Sequence, residues 1–312
     1  MFGAVRLVWR GVRAVPLLLL LVLCVALSAA DAEAGKKKKR KAVPQEPAMA
    51  FAIVRSSVTG CEPNCPEWIA AEGRIYPGSA GQFKKVLKQM GSRKLPVIVY
   101  SPGGDIDAAM RMGRMIRDKD LDVAVGYTQF AGCNPKDKSC KPPKEDKGVY
   151  RGAMRSVTAY CFSACPLILA GGKQRLVGLF ASAGVHRVTS YYSKTLTTYR
   201  EWYRIVRGKK RVVSRKIVGR KIVGTYASSK ITPKVSGGIA KYLRDMGIGP
   251  SLQQLMEATP ADQIRVLTIA ELSQAKLITN SIPAESLANA HTCDAAPYPA
   301  NCVKREPPAA SP

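Results

Sequence analysis

The sequence predicts an α/β fold with a mainly parallel sheet, for three reasons. Residues 95–100 form a short, apolar, β-branched run, which is typical of a strand buried on both faces. A glycine turn follows, and Asp105 then opens a helical pattern, so strand, turn and helix form a βα unit. Apolar runs and helical patterns continue to alternate along the chain, which favours helices packed on a parallel sheet.

The other elements follow from the spacing of the apolar residues. Short apolar runs predict strands over residues 49–57, 68–75, 121–127, 157–160, 176–181 and 277–279. Helical spacing predicts helices over residues 83–90, 162–169, 239–246, 252–256 and 269–275. Between them, residues 129–152 contain Cys133, Cys140, three prolines and five lysines, which predicts a surface loop pinned by a disulfide bond.

A basic insertion interrupts this pattern at about residues 188–233. Residues 194–230 hold twelve lysines and arginines and one acid, Glu201, and the unit Arg-Lys-Ile-Val-Gly occurs at 215–219 and again at 220–224. We expect this insertion to protrude as a helix and a hairpin. Aromatic residues among its arginines suit an anionic polymer or a lipid headgroup, and a solvated charged face is the alternative.

The N terminus resembles a secretory signal peptide. Three arginines precede an apolar run at 14–27, and Ala-x-Ala patterns follow, which predicts cleavage after residues 1–34 and an exported protein, periplasmic or secreted. A membrane anchor is the alternative, but the run is shorter than the roughly 20 residues that span a bilayer. A lipoprotein is disfavoured because Leu23, not a small residue, precedes Cys24. Residues 35–47 then predict a basic, disordered arm, and residues 289–312 an irregular tail.

Eight cysteines remain after this cleavage, and an even number in an exported chain indicates disulfide bonds. They fall into four local pairs, although other pairings stay open: Cys61 with Cys65, Cys133 with Cys140, Cys161 with Cys165, and Cys293 with Cys302. Zinc is the competing interpretation, but these spacings and the two histidines do not suit a tetrahedral site. We therefore expect no metal and no cofactor.

The charge is strongly positive, with 49 lysines and arginines against 22 acids and a net charge of +27. Such a charge favours anionic partners, such as a membrane surface or an envelope polymer. Nucleic acid is not expected as a partner of an exported protein.

Three motifs stand in a specific order. Ser101-Pro102-Gly103-Gly104 follows the buried strand, Ser163 precedes a small-residue helix that ends in Ala-Gly-Gly-Lys-Gln-Arg, and His186 lies 23 residues beyond Ser163. Over roughly residues 51–282 this set resembles the Clp protease branch of the Clp/crotonase superfamily. The resemblance implies a ββα superhelical core with a mainly parallel sheet, spanning residues 48–288.

The resemblance also implies a catalytic triad. Ser163 would be the nucleophile, and His186 the base that takes its proton, since a serine hydroxyl is too weakly acidic to attack unaided. Asp262 would orient the imidazole, with Asp245 and Glu257 as substitutes. The backbone N–H groups around the glycine turn and after the serine would bind the oxyanion, namely those of Gly103, Gly104 and Ala164.

The sequence departs from the family in three respects. Cys161 and Cys165 flank the serine, and they could bond to one another or to the loop of Cys133 and Cys140. The segment between His186 and Asp262 is long and basic. The exported context means that ring assembly and docking to a partner ATPase are not carried over, while a homo-oligomer stays open.

These observations favour an exported serine hydrolase that acts on a peptide or protein by Ser-His-Asp acyl transfer. The alternative is a catalytically silent scaffold of the same fold that binds anionic envelope polymer or lipid. Acyl-CoA chemistry of the crotonase type fits export poorly, because acyl-CoA is not expected there.

Overall fold

A computed structural model describes residues 47–137, 139–142, 148–289 and 291–305. The predicted signal peptide and residues 35–46 of the predicted arm lie outside the described residues. Among the residues described, no helix has both the length and the hydropathy that crossing a bilayer requires.

The strands run in chain order as follows: β1 Ala50–Ser56, β2 Asn64–Glu72, β3 Val97–Tyr100, β4 Val123–Val125, β5 Tyr127–Phe130, β6 Tyr150–Arg155, β7 Tyr160–Phe162, β8 Arg175–Leu176, β9 Ser182–Val185, β10 Ser190–Val206, β11 Lys209–Ser228, β12 Arg265–Val266 and β13 Cys302–Lys304. The helices are α1 Ser79–Met90, α2 Ile106–Asp118, α3 Cys165–Leu169, α4 Pro233–Asp245, α5 Ser251–Ala258 and α6 Ile269–Gln274, and a 3-10 helix spans Ala284–Leu287.

The central sheet has the order β5-β6-β1-β2-β3-β4-β8, with β13 added to β2. Neighbours from β2 through β3 and β4 to β8 are parallel, as are β1 and β6. The pairs β1–β2, β5–β6 and β13–β2 are antiparallel. The predicted α/β class with a mainly parallel sheet is confirmed.

Both faces of the central sheet are buried, which explains the continuous apolar runs of its strands. Val97 and Val99 face the larger core with α1 and α2, whereas Ile98 faces a second cluster with Trp68 and Ala284. A smaller sheet, β12-β9-β7, adjoins the end of β3, where Ser101 forms a parallel bridge with Cys161. The carboxyl end of β3 is therefore next to the end of β7.

Several element boundaries differ from the sequence prediction for steric reasons. The predicted strand 121–127 divides at Gly126, which packs against Ile98 and Ala284. The predicted strand 157–160 starts at Tyr160, because Thr158 has a φ of 64°. The predicted helix 162–169 starts at Cys165, because Ser163 also has a positive φ, 62°.

Other differences concern pairing between distant segments. Strand β6 was not predicted, because its strand character depends on parallel pairing with β1, which is distant in the sequence. The predicted strand 176–181 is a short β8 followed by a turn. The predicted strand 277–279 does not form, and the bridge beside it joins Leu176 to Asn280. The tail predicted to be irregular contains β13, which pairs with β2.

The basic insertion contains no helix in its described residues 188–232. It is instead one long antiparallel ribbon of β10 and β11, which pair only with each other among the residues described. We call residues 190–228 the basic ribbon. The eight cysteines lie in the four local pairs at disulfide distance, including Cys161 with Cys165.

Candidate active site

Ser163 occupies a strained turn between β7 and α3. Its φ of 62° lies in the left-handed region, which a residue with a Cβ rarely adopts. The Ser163 N–H donates a hydrogen bond to the Gly184 carbonyl at 2.9 Å, which fixes the turn against β9. Such strain persists only where the surroundings enforce it, and it is most common at functional sites.

Two features enforce the turn. Cys161 and Cys165 are both fully buried and are joined by a disulfide bond that closes a loop around the serine. Gly103 packs directly against the turn, since a Cβ at Gly103 would lie 2.5 Å from Ser163 Cβ and 2.6 Å from the Phe162 carbonyl oxygen. Only glycine fits at this position, which also has a φ of 97°.

His186 reaches Ser163 because β9 runs parallel to β7. Phe162 is in register with Gly184, so the residues just after each strand lie side by side. The distance between His186 Nε2 and Ser163 Oγ is 2.6 Å. Burial lowers the pKa of His186 below its ordinary value, and the backbone carbonyls of Ala261 and Arg187 oppose this effect. The imidazole is therefore neutral near pH 7 and able to accept a proton.

None of the three candidate acids reaches the other ring nitrogen. His186 Nδ1 is buried and has no hydrogen-bond partner among the described residues. Asp262 lies in an exposed turn between Thr259 and β12. Asp245 pairs with Arg114 and Lys241 instead.

The carboxylate of Glu257, the remaining candidate, is hydrogen-bonded to side chains of α4 and α5. Its Oε1 accepts hydrogen bonds from the Ser236 hydroxyl and the Gln253 amide, each at 2.8 Å. Two sets of contacts fix the backbone of the segment that follows Glu257. Arg187 donates hydrogen bonds to the Glu257 and Thr259 carbonyls, and β12 pairs with β9. The path brings the backbone of Ala261, and not a carboxylate, to the imidazole.

Arg187, which the sequence did not indicate, adjoins the candidate site. Its Nε and Nη2 donate to the Glu257 carbonyl at 2.9 and 2.6 Å, and its backbone N–H donates to the Thr259 carbonyl at 3.0 Å. These bonds hold residues 257–259 beside the strand that carries His186. Its one sequence signal is its position directly after the histidine.

The three predicted oxyanion donors are not equivalent. The Gly103 N–H donates to Ser101 Oγ at 3.1 Å, and that hydroxyl donates to the Gly73 carbonyl at 2.7 Å. By contrast, the N–H groups of Gly104 and Ala164 make no hydrogen bond within the part of the chain that the structure describes. Ala164 directly follows Ser163, so its N–H lies at the nucleophile.

Within the described ranges, no three side chains of the histidine, cysteine or acidic types are grouped so as to bind a metal ion. The eight cysteines of these ranges are all paired.

Comparison with known proteins finds similarity among solved structures alone. No family model matches the chain, and no curated protein matches it. A variant of the 1510-N membrane-bound stomatin-specific protease is 16% identical with a TM-score of 0.36, covering 67% of this chain and 75% of its own. Another variant of that protease, in complex with a substrate peptide, is 15% identical with a TM-score of 0.38, covering 67% of this chain and 71% of its own.

A variant of ClpP1 from Listeria monocytogenes is 11% identical with a TM-score of 0.32, and the match covers 69% of this chain and 90% of that protein. These are similarities of fold at low identity.

Proposed function

We propose that this protein is a serine hydrolase in which Ser163 is the nucleophile and His186 is the general base. The observation that carries the proposal is the 2.6 Å contact between His186 Nε2 and Ser163 Oγ. This is the hydrogen-bond distance that proton transfer requires, and the lowered pKa of His186 keeps its base form populated.

The reaction proceeds by acyl transfer. As Ser163 Oγ attacks a carbonyl carbon, its proton moves to His186 Nε2, and the carbonyl oxygen becomes an oxyanion. The unpaired N–H groups of Ala164 and Gly104 are the donors for that oxyanion, while Gly103 supports the turn sterically. The imidazolium then gives its proton to the leaving group as the bond between the acyl carbon and the leaving group breaks. Water, deprotonated by His186, then attacks the acyl carbon; the bond from that carbon to Ser163 Oγ breaks, His186 returns the proton to Oγ, and the acyl group leaves as a carboxylic acid.

The proposed mechanism has no orienting acid, because His186 Nδ1 has no hydrogen-bond partner among the described residues. Carbonyl oxygens of Ala261 and Arg187 favour the protonated imidazole, which is the role that a carboxylate plays in a triad. Asp262 is therefore not part of the proposed machinery. A dyad of this kind stabilises the imidazolium less than a carboxylate would, because a carbonyl carries only a partial charge.

The substrate we propose is a peptide or protein in an oxidising compartment outside the cytoplasm. Four cysteine pairs at disulfide distance are consistent with such a compartment. The predicted signal peptide would supply the export.

A fluorophosphonate probe tests this proposal. We expect covalent labelling of the wild type, none of Ser163→Ala, and labelling slowed about 10²–10⁴-fold in His186→Gln. Ser190→Ala, outside the site, serves as the matched control and should label like the wild type. Equal labelling of Ser163→Ala and the wild type would exclude Ser163 as the nucleophile.

A second candidate is the catalytically silent scaffold that binds anionic polymer or lipid. The exposed basic ribbon is the observation that favours it. It predicts a wild type that resists the probe and cleaves no peptide in a mixed peptide library, while binding to anionic material persists.

A further inference from the structure

The basic ribbon is long, exposed and unusually positive. Its strand β10 has 17 residues, which corresponds to a length of about 55 Å. Residues 190–228 contain eleven lysines and arginines and one acid. That acid, Glu201, already pairs with Arg215 at 2.6 Å and with Lys210 at 3.6 Å. The other basic residues of the ribbon therefore have no acidic partner within it.

The pairing of the two strands concentrates this charge on one face. Directly opposed residues share a face, as do residues two apart along a strand. Arg200 lies opposite Lys216, and Arg204 lies opposite Arg211. Like charges that face each other destabilise a sheet, so these two pairs act against the stability of the free ribbon.

Trp202 lies between these two cationic pairs on the same face. It is opposite Ser214, and its side chain is 48% exposed. We call Trp202 together with Arg200, Arg204, Arg211 and Lys216 the tryptophan patch. An exposed indole surrounded by four cations is suited to a boundary that is anionic on one side and apolar on the other.

Further along both faces, the ribbon exposes aliphatic side chains. Leu196 and Val206 are an even number of residues from Trp202 along β10 and so share its face, whereas Ile205, Val212, Ile217 and Ile222 lie on the opposite face. Val213, Val218 and Val223 lie at the three register shifts of β11. A soluble protein rarely exposes so many neighbouring apolar residues unless they have a partner.

We propose that the basic ribbon docks on the surface of an anionic lipid bilayer through the tryptophan patch. Headgroup phosphates would neutralise the opposed cations, and the indole, with Leu196 and Val206 on the same face, would lie at the boundary with the acyl chains. A hydrophilic polyanion would satisfy the cations but leave the indole, Leu196 and Val206 in water. A second copy of this chain would bring two positive ribbons together, which charge repulsion opposes.

The ribbon would lie on the bilayer and not cross it. Two paired strands leave a row of N–H and C=O groups unpaired along each outer edge, and such groups cannot enter the hydrocarbon. The ribbon begins at Ser190, shortly after His186, so docking would hold the candidate active site close to the membrane surface. The inference does not depend on catalysis by Ser163.

Vesicle binding with a fluorescence readout tests the inference. The purified protein is mixed with vesicles of phosphatidylcholine alone, or of equal parts phosphatidylcholine and phosphatidylglycerol. We expect binding to the anionic vesicles that weakens with added salt, with a blue shift of tryptophan emission and quenching by brominated acyl chains. Trp202→Phe should remove the shift, because Trp68, the other tryptophan in the described residues, is fully buried.

A matched pair of charge variants identifies the surface. Each basic residue near an anionic bilayer contributes about fivefold to partitioning. Replacing the four cations of the tryptophan patch by glutamine should therefore weaken binding several hundredfold. The same number of exposed lysines on α1 and after α2, replaced by glutamine, should have a much smaller effect: Lys84, Lys85, Lys88 and Lys119.

Three results would overturn the inference. They are equal binding to neutral and anionic vesicles, equal losses in the two charge variants, or binding to polyphosphate with no quenching by brominated lipid. An unchanged thermal transition in both variants would confirm that the substitutions leave the fold intact.

Discussion

The turn that carries Ser163 is buried and cross-linked, whereas the basic ribbon, which starts soon after His186, is exposed along most of its length. In the turn, Cys161 and Cys165 are fully buried, and Gly103 leaves no space for a side chain. In the ribbon, Gly224 has no atom within 4 Å of an added Cβ. Dense contacts therefore fix the backbone geometry of the turn. The ribbon has few such contacts, so its composition can be suited to binding at a surface.

The largest effect is expected from an added methyl group in the turn. Gly103→Ala places its Cβ 2.5 Å from Ser163 Cβ, so the nucleophile must move. A displacement on the order of 1 Å costs about 10²-fold in rate, and we expect at least that loss in the rate of fluorophosphonate labelling. Gly224→Ala in the ribbon is the control and should label normally. Similar labelling rates for the two variants would contradict the difference between the two regions.

The next effect concerns the disulfide bond of the turn. Replacing Cys161 and Cys165 together by alanine should lower the free energy of unfolding by about 2 kcal/mol, measured by urea denaturation. The matched control replaces Cys133 and Cys140, which close a loop of similar length at the surface. Both variants lose the constraint on the unfolded chain, but only the first should also slow labelling. Slow labelling in both would show that the effect is not local.

A smaller effect is expected at Arg187, a positioning residue. Arg187→Met removes the bonds to the Glu257 carbonyl and should lower kcat/KM by roughly tenfold. The looser segment would also move the Ala261 carbonyl from the imidazole and lower the pKa of His186 further. The acid limb of the pH profile should then shift to lower pH, with partial recovery in Arg187→Lys. A loss of activity with an unmoved pH profile would contradict the positioning role.

The wild-type pH profile should show the buried environment of His186 directly. Because burial lowers its pKa, the base form persists on acidification, and kcat/KM should fall with a midpoint below about 6.5. The unfolded chain binds the proton more readily than the folded one. The contribution of His186 to stability is therefore present above about pH 6.5 and is lost as the pH falls. A midpoint above the ordinary histidine value would oppose this account.

The smallest effect is expected at Asp262. Its carboxylate lies in an exposed turn, so Asp262→Asn should change kcat/KM by less than about twofold. A loss of several orders of magnitude would instead identify Asp262 as the orienting acid, reached by a movement of the turn after Thr259.

Strong local signals predicted much of the fold. The apolar run before Ser101 predicted β3, and the glycine turn with Asp105 predicted the start of α2, where the Asp105 side chain caps the helix. The ribbon was only partly predicted, because alternating basic and apolar residues do not distinguish a hairpin from a helix beside a hairpin. Strand β13 had no usable signal, since three residues gain strand character only by pairing with β2.

The sequence by itself determined the class of sheet, the order of Ser163 and His186, and the concentration of charge between residues 190 and 228. Each depends on periodicity or composition, which are local properties. Only the tertiary structure decided that Gly104 and not Gly103 keeps a free N–H, that Arg187 holds the segment after Glu257, and that no carboxylate reaches His186 Nδ1 among the described residues. Those outcomes depend on which distant groups satisfy each hydrogen bond, and packing settles that choice.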